Sequence, residues 1–284
     1  MPEGPEIRRA ADALARAVVG EPLTGVFFAF PALRRRQRGF VGRRIESIAP
    51  HGKALLTRFD NGWTLYSHNQ LYGVWKVVAA GERPDTKRSL RVALETRRRA
   101  ILLYSASDVS LWRTDRLHLH PFLSRLGPDV LDGALEPAEV AARLDRDEFR
   151  GRSLAALLLD QGFLAGMGNY LRSEVLFEAR LAPGRRPRDL DAGERRRLAK
   201  ALLDVPRRSY RTRGIQRSSG MKADYLTDTP GAFRFEVFDR AGEACRHCGG
   251  AVIREELAGR RLYWCPRCQE PGPRAIRRSV PRGA

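Results

Sequence analysis

Apolar residues recur at helical spacing near the start of the chain. Ile7, Ala10, Ala11, Leu14 and Val18 line one face, and Pro5 stands where a first-turn proline belongs, so the pattern predicts a helix over residues 6–19. From about residue 23 to 113 the period shortens. Short β-type runs at 26–30, 45–48, 54–59, 63–67, 74–78, 90–94 and 101–104 predict strands, and Asp60-Asn61-Gly62 between two of them is a strong hairpin signal. Many short strands with close turns predict an antiparallel sandwich or barrel, not a βαβ sheet.

Beyond residue 120 the strands stop. His120-Pro121-Phe122-Leu123 and Leu126-Gly127-Pro128-Asp129 punctuate a change to helical periodicity. Helices are predicted at 137–144, 153–159, 169–179 and about 192–203, the third with Leu171, Val175 and Leu176 on one face. Residues 207–222 carry Arg207, Arg208, Arg211, Arg213, Arg217 and Lys222 with no acid among them, and their Ser and Gly content predicts a mobile loop. The expected class is α+β: a domain over 1–120 with a leading helix, a helical domain over 121–232, a cysteine-bearing hairpin over 233–270 and a basic tail over 271–284.

Composition narrows the function. With 284 residues, 43% hydrophobic and 30% charged, the chain is globular and long enough for more than one core. No apolar run approaches the ~18 residues that span a bilayer, and the acidic, Pro-rich start lacks the basic and apolar regions of a signal peptide. The chain is expected in the cytoplasm, with no membrane partner. The formal charge is +19, from 52 Lys+Arg against 33 Asp+Glu, and Arg dominates. Such a field suits a polyanion such as DNA or RNA, while an Arg-biased coding style with solvated charge would give the same count.

All four cysteines fall in one segment, as Cys245-x2-Cys248 and Cys265-x2-Cys268 with 16 residues between the pairs. This spacing matches a four-thiolate zinc ribbon, whose closed tetrahedron makes the metal structural. Two disulfides are the alternative, and they suit a cytosolic chain poorly. Between two apolar helices lies Ala165-Gly166-Met167-Gly168-Asn169, where Asn169 reads as a helix N-cap and the helix start offers N–H groups to a phosphate. Alone, this is also an ordinary glycine turn.

Taken together, Met1-Pro2-Glu3-Gly4-Pro5-Glu6-Ile7, Gly166-Met167-Gly168-Asn169-Tyr170 and the four-Cys finger resemble the Fpg/Nei family of bifunctional DNA glycosylases, over residues 2 to about 269. The Pro-Glu-Gly-Pro-Glu start and Gln70-Leu71-Tyr72 resemble the endonuclease VIII (Nei) branch. The resemblance implies a β-sandwich, a helix-two-turn-helix domain and damaged DNA held in the cleft between them by a monomer. It further implies base excision followed by β,δ-elimination, with oxidised pyrimidines favoured over 8-oxoguanine and ring-opened purines. A non-catalytic zinc-ribbon nucleic-acid-binding protein is the rival.

Removal of Met1 would leave Pro2 with a free secondary amine. An α-amine has a pKa near 8, so a fraction is neutral and nucleophilic at pH 7. Glu3 beside it suits a general acid, or else complements the positive end of its own helix. By resemblance, Lys53 and Arg260 bind the phosphates flanking the lesion and assist elimination, with Arg261 an adjacent rival to Arg260. Gln70, Leu71 and Tyr72 would fill the hole left by a flipped nucleotide, and Arg125 and Asn169 would hold the DNA backbone. His68, His118 and His120 read as structural, since no nearby Cys or carboxylate spacing suggests a triad or metal site.

Overall fold

In the computed structural model, residues 2–212, 214–217 and 226–269 are described. Met1, the 218–225 part of the basic loop and the 271–284 tail lie outside them. Helix α1 (Gly4–Val18) buries Ile7, Ala11, Leu14 and Val18 along one stripe. Its start is capped by Glu6, whose carboxylate accepts the Glu3 N–H at 2.9 Å. The helix begins two residues earlier than its apolar stripe suggests, with Pro5 in the first turn.

Eight strands follow: β1 (Gly25–Phe28), β2 (Ile45–His51), β3 (Ala54–Phe59), β4 (Trp63–His68), β5 (Val74–Ala79), β6 (Leu90–Glu95), β7 (Arg99–Tyr104) and β8 (Asp108–Arg113). They form two four-stranded sheets, β1–β6–β7–β5 and β2–β3–β4–β8, with every neighbour antiparallel. The sandwich is therefore as expected. The seven predicted runs each became a strand, and β8 is the one the pattern missed. It is an edge strand whose side chains stand half-buried, so it lacks a clean alternation of apolar and polar positions. The core between the sheets holds Phe28, Ile45, Leu55, Phe59, Leu65, Val92, Leu94, Ile101 and Leu103, and α1 closes one side of it.

Three connections cross from sheet to sheet, the long 29–44 link from β1 to β2 and two short ones. Of the short ones, residues 69–73 join β4 to β5, and residues 105–107 join β7 to β8. These two run side by side, tied by a hydrogen bond from Ser107 Oγ to Gln70 Oε1 at 2.9 Å.

The helical domain contains α2 (Pro137–Leu144), a single turn at Leu154–Leu157 capped by Ser153, α3 (Asn169–Glu178) and α4 (Ala192–Arg211). Its core gathers Val140, Leu144, Leu157, Phe163, Leu171, Val175, Leu198 and Leu202. Two expectations need correction. Residues 153–159 form one turn and not a full helix. The helix expected to end near 203 runs to Arg211, so Arg207, Arg208 and Arg211 are helical and not part of a loop. Pro206 did not stop it, because Ser209 beyond the proline is buried and its hydroxyl meets the Tyr170 hydroxyl at 3.0 Å.

The cysteine segment builds a hairpin of β9 (Ile253–Leu257) and β10 (Arg260–Trp264), closed by Ala258 and Gly259 at φ 55° and 68°. Paired positive φ values are those of a type I′ turn. The segment that carries the hairpin is docked on the helical domain by several buried bonds. Buried Glu174 of α3 accepts the backbone N–H groups of Glu236, Val237 and Phe238 at 2.8–3.0 Å. Gln269, fully buried, donates to Leu181 O at 3.0 Å. Among the described residues no helix is long and apolar enough to cross a membrane.

Candidate active site

Residues 2–6 dock end-on against the glycine turn. Gly4 donates to Gly166 O at 2.9 Å, and the Glu3 carboxylate accepts the N–H groups of Tyr170 at 2.8 Å and Leu171 at 3.2 Å. Glu3 therefore caps the start of α3 from far away in sequence, while also standing at the N-cap of its own helix. This corrects the reading of Asn169 as the cap. The cap position is Gly168, Asn169 is already helical, and two of the N–H groups expected to meet a phosphate are taken by Glu3. Gly168 must be glycine for this contact, since a Cβ there would lie 2.2 Å from Glu3 Cδ.

Several residues that the sequence did not single out hold this turn. The Gln161 side chain donates to Met167 O at 2.9 Å and accepts Gly166 N–H at 3.2 Å. Asp129 accepts the N–H of Gly52 at 2.7 Å and of Leu131 at 2.8 Å, which ties the β2–β3 turn to the helical domain. That turn is only Gly52-Lys53, and Gly52 adopts φ 60° with its Cα facing Ala165 and Gly166. Lys53 is thus carried in the turn just before β3, directed into the same junction as Glu3.

Glu3 is 4% exposed. Burial pushes its carboxyl up to about 7, against the pull of the Lys53 ammonium and the two N–H bonds, and the nearby Glu6 adds to the rise. Lys53 moves the other way: burial lowers its pKa, Glu3 raises it, and the Arg260 guanidinium lowers it again. The three groups therefore share one field, with Pro2 next to Glu3 and half-buried.

Arg260 and Arg261 are both exposed at the hairpin tip. The charge of Arg260 acts on Lys53 and on Arg172. Arg172 is fully buried, and its guanidinium donates to Arg260 O, Arg261 O, Leu257 O and Asn169 Oδ1 at 2.7–3.3 Å. Burial and Arg260 hold its pKa down to about 10. Asn169 Nδ2 also reaches Arg261 O at 2.7 Å. Arg172 was not predicted, and with Ser173, Glu174 and Glu178 on the same helix no sequence signal singles it out.

The remaining candidates stand on the 69–73 connection and in the stretch just after the sandwich. Leu71 is 64% and Tyr72 70% exposed, the two most exposed large apolar side chains among the described residues. Gln70 stands beside them at φ 49°. Arg125 is exposed and its Nε donates to Pro121 O at 2.8 Å. His120 is buried, tilted 4.0 Å from the Tyr66 ring, and its Nδ1 accepts the Phe122 N–H at 3.2 Å, which is a structural role. His118 is exposed.

The four cysteines are free thiols, and their sulfurs lie within 4.8 Å of one another. Cys245–Cys268 is 3.8 Å and Cys248–Cys265 is 3.4 Å, close to the ~3.8 Å that Zn–S bonds of about 2.3 Å impose on a tetrahedron. Gly250 N–H draws the Cys248 thiol down to about 7, while burial raises Cys265 and Cys268. Four crowded thiols of this kind fit one structural zinc ion, held by Cys245, Cys248, Cys265 and Cys268.

Comparison with known proteins gives the same three parts in the same order. Residues 1–107 match the formamidopyrimidine-DNA glycosylase N-terminal domain, residues 126–219 its H2TH domain, and residues 242–271 a zinc finger found in FPG and IleRS. Endonuclease 8 of Pectobacterium carotovorum subsp. carotovorum (strain PC1) is 54% identical over 95% of this chain and 100% of its own. Endonuclease 8 of Salmonella schwarzengrund (strain CVM19633) is 53% identical over 95% of this chain and all of its own. Among solved structures, Lactococcus lactis Fpg (MutM) in complex with a DNA containing N7-benzyl-Fapy-dG superposes with a TM-score of 0.80 over 95% of this chain and 100% of that one, at 20% identity. The chain belongs to the Fpg/Nei family of DNA glycosylases with AP lyase activity that serve base excision repair, and within it to the endonuclease 8 branch.

Proposed function

We propose that this glycosylase/lyase removes oxidised bases from DNA, pyrimidines in preference to purines, through a Schiff base on Pro2. The observation that carries the reading is the docking of Pro2-Glu3 on the Gly166–Gly168 turn, in a chain more than half identical to endonuclease 8 proteins over their whole length. After loss of Met1, the Pro2 nitrogen attacks C1′ of the damaged nucleotide and the base leaves as the ring opens. Glu3, with its carboxyl near 7, gives a proton in that step and takes one afterwards. The resulting iminium acidifies the C2′ proton, so the 3′ phosphate leaves by β-elimination and the 5′ phosphate by δ-elimination.

Lys53 and Arg260 bind the phosphates on either side of the lesion, a reading supported by the charge of Arg260 acting on Lys53 and that of Lys53 on Glu3. Asn169 and Arg125 hold the backbone nearby. Gln70, Leu71 and Tyr72 occupy the hole in the stack, for which two exposed apolar side chains on a short loop are suited. In this reading 1–120 is the catalytic sandwich, 121–232 the helix-two-turn-helix domain, 233–270 the zinc finger and 271–284 a basic tail. The enzyme acts as a cytoplasmic monomer on damaged DNA.

Borohydride trapping on an abasic-site DNA tests the chemistry, because only an imine is reduced to a covalent adduct. Pro2→Gly, or a form with Met1 retained, should give no adduct while keeping salt-dependent DNA binding; an undiminished adduct refutes Pro2 as nucleophile. Parallel excision assays on oxidised thymine and 8-oxoguanine test the substrate class. Faster release of 8-oxoguanine would reassign the enzyme to purine lesions.

A further inference from the structure

The exposed wedge of the 69–73 loop is held upright before any DNA arrives. Gln70 takes a left-handed backbone conformation that a side-chain-bearing residue seldom adopts, at φ 49°. Four anchors compensate. Gly73 N–H donates to Asn69 O at 2.7 Å, Arg88 donates to Tyr72 O at 2.7 Å, Ser107 Oγ donates to Gln70 Oε1 at 2.9 Å, and Gln70 N–H donates to His68 Nδ1 at 3.0 Å. The last is distinctive. A side-chain acceptor that takes the N–H two residues ahead is what Asn and Asp do in an Asx-turn, and here an imidazole does it.

His68 is also placed to sense the catalytic junction. It ends β4 opposite Ala54, the residue after Lys53, and its ring meets Phe122 edge-on at 5.5 Å between centroids. Because Nδ1 accepts, the neutral ring carries its proton on Nε2.

We propose that His68 is a positioning residue for the wedge: the Nδ1 lone pair pins Gln70 N–H and so keeps Leu71 and Tyr72 erect for insertion into the base stack. The inference rests on the wedge role given above to Gln70, Leu71 and Tyr72. A preset wedge lowers the ordering cost that a floppy loop would add to every flipping event. It also explains why a left-handed Gln is kept at the root of two solvent-facing apolar side chains.

Two substitutions separate the acceptor from the ring. His68→Asn restores an oxygen able to take the same N–H but removes the aromatic contact with Phe122. His68→Phe keeps a ring against Phe122 and removes the acceptor. Each is assayed, with its melting temperature, for excision of an oxidised pyrimidine from duplex DNA and for cleavage of an abasic site in single-stranded DNA, where no hole needs filling. A fluorescent base analogue opposite the lesion reports wedge insertion.

The expected result is that His68→Phe loses at least tenfold in duplex excision and in the insertion signal, that His68→Asn stays within about threefold of the parent, and that single-strand cleavage is preserved in both. Equal loss in the two variants, the reverse order, no loss in either, or a parallel loss on single-stranded DNA would each overturn the proposal. Failure of the parent enzyme to be trapped on abasic DNA would instead strike the proposed function itself, so the two failures are distinguishable.

Discussion

Glu3 fills the space that a side chain on Gly168 would need. A Cβ at 168 would stand 2.2 Å from Glu3 Cδ and 2.5 Å from Oε1, far inside contact distance. The same carboxylate is fixed by the N–H groups of Tyr170 and Leu171, so it has no room to retreat without losing both bonds. Gly168→Ala should therefore displace Glu3 and lower base excision by at least two orders of magnitude, with a stability loss of about 1–3 kcal/mol from overpacking. Single-turnover excision together with denaturant melts checks this. Full activity in the Ala variant would mean that Glu3 is not held where the chemistry needs it.

The elevated Glu3 pKa gives a signed pH prediction. Burial raises it from 4.5 to about 7, so in this range the folded state binds a proton that the unfolded state has lost. The stability linked to that proton is complete below about pH 4.5 and drains away as pH rises through 7. Glu174, raised to about 6 by burial, adds in the same direction. Glu3→Gln should thus gain stability relative to the parent between pH 5 and pH 7.5, by an amount of order 1–3 kcal/mol. Melting temperatures at the two pH values measure the difference. Excision by the parent should meanwhile fall above neutrality as the general acid deprotonates.

The sandwich and the zinc ribbon were legible in the sequence because local patterns specify them. The 54–59 and 63–67 runs flank Asp60-Asn61-Gly62, and β3 and β4 pair around that turn as expected. The cysteine spacing likewise brought four sulfurs within 4.8 Å. What stayed hidden depends on contacts remote in sequence. The cap of α3 comes from Glu3, the β2–β3 turn is clamped by Asp129, and the hairpin tip is carried by Arg172; no periodicity links such pairs. The end of α4 was misread for the same reason, since burial of Ser209 against Tyr170 outweighed the breaker at Pro206.

Zinc removal should dismantle one part only. The core under the cysteines is small, consisting of Val237, Val252 and Tyr263 with the buried thiols, so the hairpin draws its stability mainly from the metal, on the order of 10 kcal/mol. Cys265→Ser, or a strong chelator, should release zinc and free β9 and β10, while the sandwich core remains intact. Metal analysis and proteolysis within 240–269 report this. Retained zinc in the Ser variant would show that three thiolates suffice.

Leu71 and Tyr72 offer a test of function without a stability penalty. Side chains 64% and 70% exposed contribute little to folding. Leu71→Ala should leave the melting temperature unchanged and reduce excision from duplex DNA by about tenfold, a loss of about 1.4 kcal/mol in transition-state stabilisation. Abasic cleavage in single strands should hardly change. An equal reduction on both substrates would assign the residue to general DNA affinity and not to the wedge.

Arg260 and Arg261 are adjacent, yet they stand on opposite faces of the hairpin strand. Strand alternation puts Arg260 on the face of Leu262, which packs into the helical core, and Arg261 on the face of Tyr263, which packs under the zinc site. Consistent with this, the Arg260 charge depresses the pKa of Lys53. Arg260→Ala should therefore raise the Lys53 pKa and slow elimination by roughly a hundredfold, the scale on which one lost anion clamp acts. Arg261→Ala removes no backbone carbonyl from Arg172 and should cost only a fraction of the non-specific affinity, seen as a shallower salt dependence. Comparing the rate of strand scission on preformed abasic DNA for the two variants decides between them, and a larger effect at 261 would reverse the assignment of the phosphate grip.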